Sequence, residues 1–379
     1  MQRRTVNRTL RFPDRPHPRR AGENRRWEGV KRAAVRLADV AAQAQVSLAT
    51  ASRVLNSQGG YTGRPALRER VLAAAAELGY EPNFHAQALA SATSTTIGLV
   101  LHDIRDAYFA LMAGAIVRTA EAHGLFVTIV CTYRDPSQEL KYVKLLRAQR
   151  PRAIIMAGSG FINRSAFEPI ETELTRFEET GGVVVSVVGD RGVGHRIVLE
   201  NESGSRELAH TLADLGHTRF AVATGPARLT TARDRLKGFR LGLQDRGLEL
   251  PKGSVHHVDM TREGGLRLAE LIAAQPERPT CVFAAFDVVA AGLIAGLQQN
   301  GVDVPGEVSV AGFGDIPLAA QITPALSTVS VPLELIGQQA VELAMVEDSS
   351  IRRSISIDGT VVMRASTAPV PARVAAHDG

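Results

Sequence analysis

The hydrophobic residues follow two different spacings, and the change from one to the other lies near residue 95. Before it, Leu37, Val40, Ala41 and Ala44 stand at positions i, i+3, i+4 and i+7, which is the spacing of one helical face. After it, continuous Val- and Ile-rich runs alternate with helical stretches. The pattern predicts a small all-helical segment followed by a larger α/β region.

In the helical segment, a tight turn separates two short helices. Val46 is predicted to be a buried plug after the turn, and Ser47 suits the N-cap of the second helix because its hydroxyl accepts a backbone N–H. We expect Thr50, Ala51, Val54 and Leu55 to point inward, whereas Leu48, Ala49, Ser52, Arg53 and Asn56 face outward or flank the helix. Small residues allow the close approach that a helix-turn-helix requires. An ordinary helical hairpin is the alternative.

Further amphipathic spacing predicts a third helix from about Pro65 to Leu78, with Gly79 as its C-cap. Its inner stripe is predicted to comprise Leu67, Val71, Leu72, Ala75 and Leu78. The segment YEPNFHAQALAS follows, in which Asn83 is able to cap a helix of barely two turns. So short a helix is marginal alone, and we expect it to form only against a partner.

The α/β region is too long for one doubly wound sheet, so its pattern predicts two lobes of parallel strands covered by helices on both faces. The predicted strands are residues 96–101, 126–131, 153–157, 183–189, 219–225, 281–286 and 308–313. The helical stretches between them include Leu111–His123, Gln138–Arg150, Ser203–Leu215 and Asp287–Asn300.

Several motifs occur in the order and spacing of one known family. They are LADVAAQAQVSLATASRVLN, RERVLAAAAELGYEPN, AQALAS before TIGLVL, GPARLTTARDRLKGF, GFGDIPLAAQITPALSTV and RAST. Over residues 35–368 the chain resembles the lactose-repressor/galactose-repressor family of bacterial transcription regulators. The resemblance implies a helix-turn-helix DNA-binding domain at 35–82, a hinge helix and linker at 83–95, and a ligand-binding and dimerisation domain at 96–368. That last domain is expected to be periplasmic-binding-protein-like, with chain crossovers near 194–202 and 325–332. A tail follows at 369–379.

The resemblance also implies which headpiece residues contact DNA. Leu48, Ala49 and Arg53 occupy the positions that read bases in a major groove, where arginine recognises guanine. The residues at the phosphate-contacting positions are Ser47, Thr50, Ser52 and Asn56. Residues 83–90 match the hinge helix, and Leu89 matches a leucine that wedges into the minor groove. Packing of Leu89 on the effector domain is the alternative.

A ligand is expected beyond the carboxyl ends of the parallel strands. Tyr108 and Phe109 follow the first strand, where they either stack on a sugar or nucleobase or pack in the core. Asp287 ends a strand and starts a helix, so it either caps that helix or accepts from ligand hydroxyls. The resemblance places Thr231 and Arg235 on the ligand, and Met260 where some relatives have an aromatic wall. This set favours a neutral sugar over a nucleobase or a small acid.

Charge adds a separate feature at the N-terminus. Eleven Lys and Arg residues against three acidic residues give residues 1–34 a net charge of +8, so the remainder carries −3 of the total of +5. This segment is interpreted either as a disordered basic arm or as the product of a start codon assigned too early. Within the headpiece, Arg36 replaces the usual Ser or Thr cap, and Gln45 replaces the usual turn glycine, which implies a left-handed backbone.

Candidate enzyme chemistry is weak throughout the sequence. GFGDIP lacks the third glycine of a dinucleotide motif, and His256-His257 has no further ligand at metal spacing. Cys131 and Cys281 carry no nucleophile signature and indicate a reducing cytoplasm. No apolar run reaches the roughly 20 residues that span a membrane. We therefore predict a protein that is not an enzyme, with no cofactor, no metal and no membrane partner.

Together these features predict a ligand-responsive, cytoplasmic, DNA-binding transcription regulator. The specific prediction is a repressor of carbohydrate-related genes that binds a palindromic operator in double-stranded DNA as a homodimer, with a sugar or sugar derivative as effector. A sugar-binding transport-type protein without DNA function and a nucleobase-responsive repressor are the alternatives. The helix-turn-helix and hinge motifs distinguish the regulators from the transport protein.

Overall fold

The computed structural model describes residues 35–56, 63–80, 94–160, 165, 167–189, 192–346 and 351–370. The basic segment 1–34 and the hinge residues, Asn83 and Leu89 included, lie outside the described residues. The described chain divides into two compact units, residues 35–80 and residues 94–370. We call them the headpiece and the effector unit.

The headpiece consists of α1 (Leu37–Gln43), α2 (Leu48–Asn56) and α3 (Pro65–Leu78), close to the predicted helices. Its buried cluster contains only alanine and valine: Val40, Ala41, Ala44, Ala51, Val54, Val71, Ala74 and Ala75. Leu72 was predicted on the inner stripe, but 40% of it is exposed. The buried stripe of α3 instead follows Val71, Ala74 and Ala75, and the next residue after Val71 is rotated about 100° away from it.

The ends of the headpiece helices are held largely as predicted. The Ser47 hydroxyl accepts from the Thr50 backbone N–H at 3.2 Å, so Ser47 is the N-cap of α2. Gly79 ends α3 with φ of +64°, and Gln45 lies in the turn with φ of +53°. At α1 the Arg36 backbone N–H donates to the Asp39 carboxylate at 2.7 Å. A side chain of the first turn therefore pairs a backbone N–H at the start of the helix, where such groups have no partner within the helix.

The effector unit alternates strands and helices along the chain. Its strands are β1 (Thr96–Leu101), β2 (Phe126–Cys131), β3 (Ala153–Gly158), β4 (Val183–Val188), β5 (His195–Leu199), β6 (Phe220–Thr224), β7 (Val255–His257), β8 (Cys281–Ala284), β9 (Ser309–Gly314), β10 (Ser327–Ser330), β11 (Ser354–Ile357) and β12 (Thr360–Val362). Its helices are α4 (Ala107–Ala122), α5 (Pro136–Ala148), α6 (Glu168–Glu179), α7 (Asn201–Asp214), α8 (Thr230–Asp245), α9 (Arg262–Ala273), α10 (Asp287–Gln299), α11 (Pro317–Gln321) and α12 (Leu333–Ala344).

These strands form two six-stranded sheets, one in each lobe. The order is β11-β5-β4-β3-β1-β2 in the first lobe and β12-β10-β9-β8-β6-β7 in the second. The pairs are parallel except that β12 runs antiparallel to β10. All residues of β3 and β9 are buried, as expected for strands covered on both faces. The predicted α/β architecture of two doubly wound lobes is confirmed.

The chain passes between the lobes three times within the described residues. It does so after β5, after β10 and after β11. The first two passages fall within the ranges 194–202 and 325–332 given above. The third, between Ile357 and Thr360, was not predicted, because β11 and β12 are short and carry little hydrophobic pattern. Three connecting segments therefore join the two lobes.

Candidate functional site

The headpiece presents a narrow exposed surface on α2. Leu48 is 53% exposed, and Ala49 and Arg53 are also exposed beside it. The Arg53 Nε donates to the Ala49 carbonyl at 3.3 Å, so the guanidinium lies along the helix. No acidic side chain stands in this helix. The predicted base-reading residues therefore share one surface with a single positive charge.

The predicted phosphate-contacting residues are placed less uniformly. The Ser47 and Thr50 hydroxyls lie 2.8 Å apart in a mutual hydrogen bond. Ser47 is exposed, whereas Thr50 and Ser52 are half-buried at the edge of the same surface. The side chain of Asn56 lies outside the described part of the chain. The assignment of these hydroxyls to phosphates stays a prediction.

In the effector unit, loops at the carboxyl ends of the strands enclose a cavity between the two lobes. It is lined by residues of both lobes and holds about 650 Å³ of space, its open mouth included. All the residues predicted to bind a ligand line it, together with others: Asp106, Tyr108, Phe109, Arg134, Gly158, Ser159, Val188, Thr231, Arg235, Met260, Phe286, Asp287, Val288, Phe313 and Ile316. The fold thus brings the predicted set into one place, while its contact with a ligand stays a prediction.

The aromatic pair stands at the start of α4. The Asp106 carboxylate caps this helix by accepting from the Tyr108 backbone N–H at 3.1 Å. The Tyr108 and Phe109 rings meet edge to face with centroids 5.5 Å apart. The Tyr108 hydroxyl is buried and has no hydrogen-bond partner among the described residues. Burial raises the pKa of Tyr108 to about 12, so the phenol stays neutral and keeps a donor for a ligand.

Arg235 is a buried cation whose partners are neutral. Its Nε donates to the Asn201 side-chain oxygen at 2.8 Å, and its Nη1 donates to the Ala285 carbonyl at 2.5 Å. The guanidinium lies 3.8 Å from the centre of the Phe313 ring and 5.1 Å from that of Phe286. Burial lowers the pKa of Arg235 to about 10, so the group remains charged at pH 7 and is oriented by rings and carbonyls.

Asp287 is the first residue of α10, and both of its carboxylate oxygens accept from the protein. One accepts from the Ile316 backbone N–H at 3.0 Å and the other from the Thr328 hydroxyl at 2.6 Å. Burial raises the pKa of Asp287 to about 6. The carboxylate is therefore ionised at pH 7, with lone pairs left for ligand hydroxyls.

Hydrogen bonds also cross the cleft beside the cavity. The Ser159 and Thr231 hydroxyls lie 2.8 Å apart. The Thr230 backbone N–H and hydroxyl both donate to the Gly160 carbonyl at 3.1 Å. Ser159 and Gly160 follow β3 of the first lobe, whereas Thr230 and Thr231 begin α8 of the second. These contacts close one side of the cleft.

Sequence reasoning missed part of the polar lining. Asp106, Arg134 and Ser159 belong to loops that follow β1, β2 and β3. The rule that found Tyr108, namely that ligands bind beyond strand carboxyl ends, would have selected these loops too. Phe313 lies near the end of buried β9 and Phe286 lies just after buried β8, and periodicity alone does not separate such residues from core. Only the cavity geometry identifies them as lining.

Both units match known families in the expected order. Residues 36–83 match the model described as "Bacterial regulatory proteins, lacI family", and residues 209–367 match a periplasmic binding protein-like domain. The chain is 34% identical to the HTH-type transcriptional regulator GalS of Salmonella typhimurium over 82% of its length and 89% of that relative.

The chain belongs to the lacI family of bacterial regulatory proteins.

Other relatives agree with this placement. The lacI-family chain is 31% identical to the ribose operon repressor of Halalkalibacterium halodurans, over 80% of its length and 88% of that relative. Its structure matches that of the lac repressor dimer bound to operator and the anti-inducer ONPF with a TM-score of 0.77 at 26% identity, covering 88% of this chain and 99% of that one. This lacI-family protein is a DNA-binding transcription regulator, as the sequence predicted.

Within the described residues, no cluster of three or more His, Cys, Asp or Glu side chains is arranged to hold a metal ion. The described helices of the regulator also include none long and apolar enough to cross a membrane.

Proposed function

We propose that this regulator is a repressor of carbohydrate-related genes that binds a palindromic operator as a homodimer and changes its operator affinity when a sugar or sugar derivative occupies the cavity. The observation that supports it is the combination, in one chain, of an exposed arginine-bearing helix and a cavity lined by residues of both lobes. Acting on chromosomal DNA, it works in the cytoplasm.

The ligand-binding role rests on the lining of the cavity. Arg235 and Asp287 offer charged donors and acceptors held by buried contacts, and Tyr108 offers an unpaired hydroxyl. Polyhydroxylated molecules need many such groups on an apolar background. The aromatic pair Tyr108 and Phe109 is the feature that would favour a nucleobase instead, so nucleobases belong in the test as the second candidate.

A homodimer is supported by the outer edge of the first lobe. β2 ends that sheet, and its Phe126 and Ile129 side chains are 58% and 38% exposed. On neighbouring α4, Leu111 and Val117 are 40% and 37% exposed. Several exposed apolar side chains on a sheet edge and on its neighbouring helix are typical of an interface. Phe126→Asp is expected to convert a dimer to a monomer in analytical ultracentrifugation.

Ligand coupling is expected to act through the lobe connections. Arg235 bonds Asn201, the first residue after the passage that follows β5, and Asp287 bonds Thr328 on β10, which leads to the next passage. A ligand that moves either charge therefore acts on a segment that joins the lobes. A ligand with different affinity for the open and closed lobes shifts the population between them.

The test starts from purified full-length protein and fragmented genomic DNA. Bound fragments are selected and sequenced, and a shared palindrome gives the operator. Gel-shift titrations on that operator are repeated with D-galactose, D-ribose, cellobiose, D-glucuronate, adenine and hypoxanthine. The proposal predicts that at least one of the sugars changes operator affinity and that the same sugar has no effect on Arg235→Ala. A response to the nucleobases only would contradict the sugar assignment.

No catalytic activity is expected of the cavity. Its Ser159 hydroxyl bonds another hydroxyl, and among the described residues no histidine lies within hydrogen-bond distance of it. Effector recovered unchanged from the bound protein by mass spectrometry would agree with a purely regulatory role, and chemical turnover of the effector would contradict it.

A further inference from the structure

The four charged residues that line the cavity differ in the hydrogen-bond partners that their charged groups have. Its carboxylates already accept from the protein: Asp106 from the Tyr108 backbone N–H, and Asp287 from Ile316 and Thr328. Its arginines have no anion at hydrogen-bond distance: Arg235 donates to neutral oxygens, and the carboxylate near Arg134 is 3.9 Å away. The cavity thus contains two carboxylates and two arginines, and neither arginine donates a hydrogen bond to a carboxylate.

Of the two arginines, Arg134 donates fewer hydrogen bonds to the protein. Its guanidinium donates no hydrogen bond to any residue in the described ranges, and its side chain is 28% exposed where it faces the cavity. The ring of Phe109 lies beneath it, with 5.9 Å from the guanidinium carbon to the ring centre. A ring on one side and open cavity on the other leave its planar set of donors available for a ligand.

The backbone that carries Arg134 is unusual. Tyr133 and Arg134 adopt φ of +51° and +60° in succession, a left-handed conformation that is unfavourable for residues that carry a side chain. The turn is held because the Tyr133 N–H donates to the His102 carbonyl at 2.8 Å and the Asp135 N–H donates to the Thr132 carbonyl at 2.9 Å. Strain of this kind at a cavity is consistent with a functional requirement for the side chain's direction.

Asp106 does not form a hydrogen bond with Arg134. One of its carboxylate oxygens caps α4 by accepting from the Tyr108 N–H, and the other lies 3.9 Å from the Arg134 guanidinium, an ion pair without a hydrogen bond. Burial raises the pKa of Asp106 and lowers that of Arg134. An acid on the ligand would supply the missing hydrogen-bond acceptors.

We propose that the effector is a sugar-sized polyol that carries one acidic group, a carboxylate or a phosphate, and that the Arg134 guanidinium binds this group. The proposal rests on the proposed function, in which the cavity binds the effector. The hydroxyls of the same ligand then have the Tyr108 hydroxyl and the Asp287 carboxylate as partners. Sequence reasoning favoured a neutral sugar because Arg134 was not among the residues it assigned to the cavity.

The test compares matched ligands that differ only in the acid. Isothermal titration calorimetry on full-length protein is run with D-galactose against D-galacturonate, D-glucose against D-glucuronate and D-glucose 6-phosphate, and D-ribose against D-ribose 5-phosphate. We expect at least one acidic member to bind about tenfold to a hundredfold more tightly than its neutral partner, the range that charge-assisted hydrogen bonds supply. The uronates and the sugar phosphates separate the two sources of charge.

Three variants assign the effect to Arg134. Arg134→Gln should reduce acid affinity to that of the neutral sugar, and Arg134→Lys should retain part of the preference as a point charge. Asp106→Asn keeps a capping oxygen for α4 but removes the nearest competing carboxylate, so it should strengthen acid binding. Arg233→Gln is the matched control, because Arg233 is exposed and paired with Asp234. It should leave both affinities unchanged.

The outcomes separate this proposal from the one on which it rests. Equal or tighter binding of the neutral sugars, or no binding of any acid, would overturn the acidic effector, and an unchanged preference in Arg134→Gln would overturn the assignment of the acid to Arg134. In the first two cases a neutral sugar remains able to regulate the protein. Failure of the proposed function has a different signature, namely no selected operator, or an operator affinity that no sugar changes.

Discussion

The cores of the headpiece and of the effector unit differ in the size of the side chains that they bury. The headpiece buries a cluster made only of Ala and Val side chains, whereas the effector unit stacks Phe239 on Phe283 with ring centroids 4.6 Å apart. Small side chains bring α1, α2 and α3 close together and leave one face of α2 exposed. Because small side chains bury less apolar area, the headpiece core contributes less stability than the aromatic core of the effector unit.

The two units also place arginine differently. Arg53 is exposed and bonds only its own helix among the described residues, while Arg235 is 3% exposed and is held by Asn201 and Ala285. A buried cation costs several kcal/mol of desolvation, which only a large core offsets. The effector unit is therefore the unit that can hold charges in fixed positions around a ligand.

The largest expected effect tests the core of the effector unit. Phe239→Ala removes a fully buried ring that contacts Phe220 and Phe283, and it should lower the free energy of unfolding by about 3–5 kcal/mol. Urea unfolding followed by circular dichroism measures it. The control Leu271→Ala, at a side chain 61% exposed, should change stability by less than about 0.5 kcal/mol. If Phe239→Ala lowers the free energy of unfolding no more than the control does, the large aromatic side chains do not stabilise the effector core as we expect.

The next effect concerns the buried carboxylate. Because burial raises the pKa of Asp287 to about 6, the folded protein binds a proton between about pH 4 and 6 that the unfolded chain does not bind. The contribution of Asp287 to stability therefore falls as pH rises through that window. From pH 4 to pH 8, wild type should lose roughly 3 kcal/mol relative to Asp287→Asn. A difference in unfolding free energy that does not vary with pH would show that Asp287 is solvated.

A smaller effect is expected at the exposed arginine. Arg53→Ala should weaken binding by about 1–3 kcal/mol per half-site and relax the preference for one G·C pair. Because Arg53 is exposed, the unfolding transition should not move. Gel-shift titration on the selected operator and on its single-base variants measures the loss. An unchanged base preference at every position would remove Arg53 from the reading surface.

The smallest expected effect concerns the turn between α1 and α2 of the headpiece. Gln45 has φ of +53°, so Gln45→Gly should raise headpiece stability by about 0.5–1 kcal/mol through relief of the left-handed backbone. Ala42→Gly, at an exposed position within α1, is the matched control and should lower it by about 1 kcal/mol. Hydrogen exchange of the α1 and α2 amides reports on the headpiece separately. A loss of headpiece stability in both variants would show that the backbone of Gln45 is not strained.

Local pattern alone was sufficient for much of this protein. The bounds of α3 and the Ser47 cap follow from neighbouring residues, because a helix end is decided by hydrogen bonds within one turn. The left-handed Gln45 followed from its position, where the resembling family has a turn glycine. The principal parallel strands follow from uninterrupted apolar runs. The cavity residues Tyr108, Arg235 and Asp287 came from motif positions together with the rule that ligands bind beyond strand ends.

Tertiary structure decided the features that depend on contacts between distant segments. The rotation that exposes Leu72 depends on which stripe of α3 meets α1 and α2, and the third passage between lobes depends on where the short strands β11 and β12 pair. In the sequence, nothing distinguishes Arg134 from any other basic residue that follows a strand. Only the fold shows that it lies over Phe109 and beside Asp106. Periodicity along the chain records which face of an element is buried, but it carries no distance between elements, and the cavity consists of such distances.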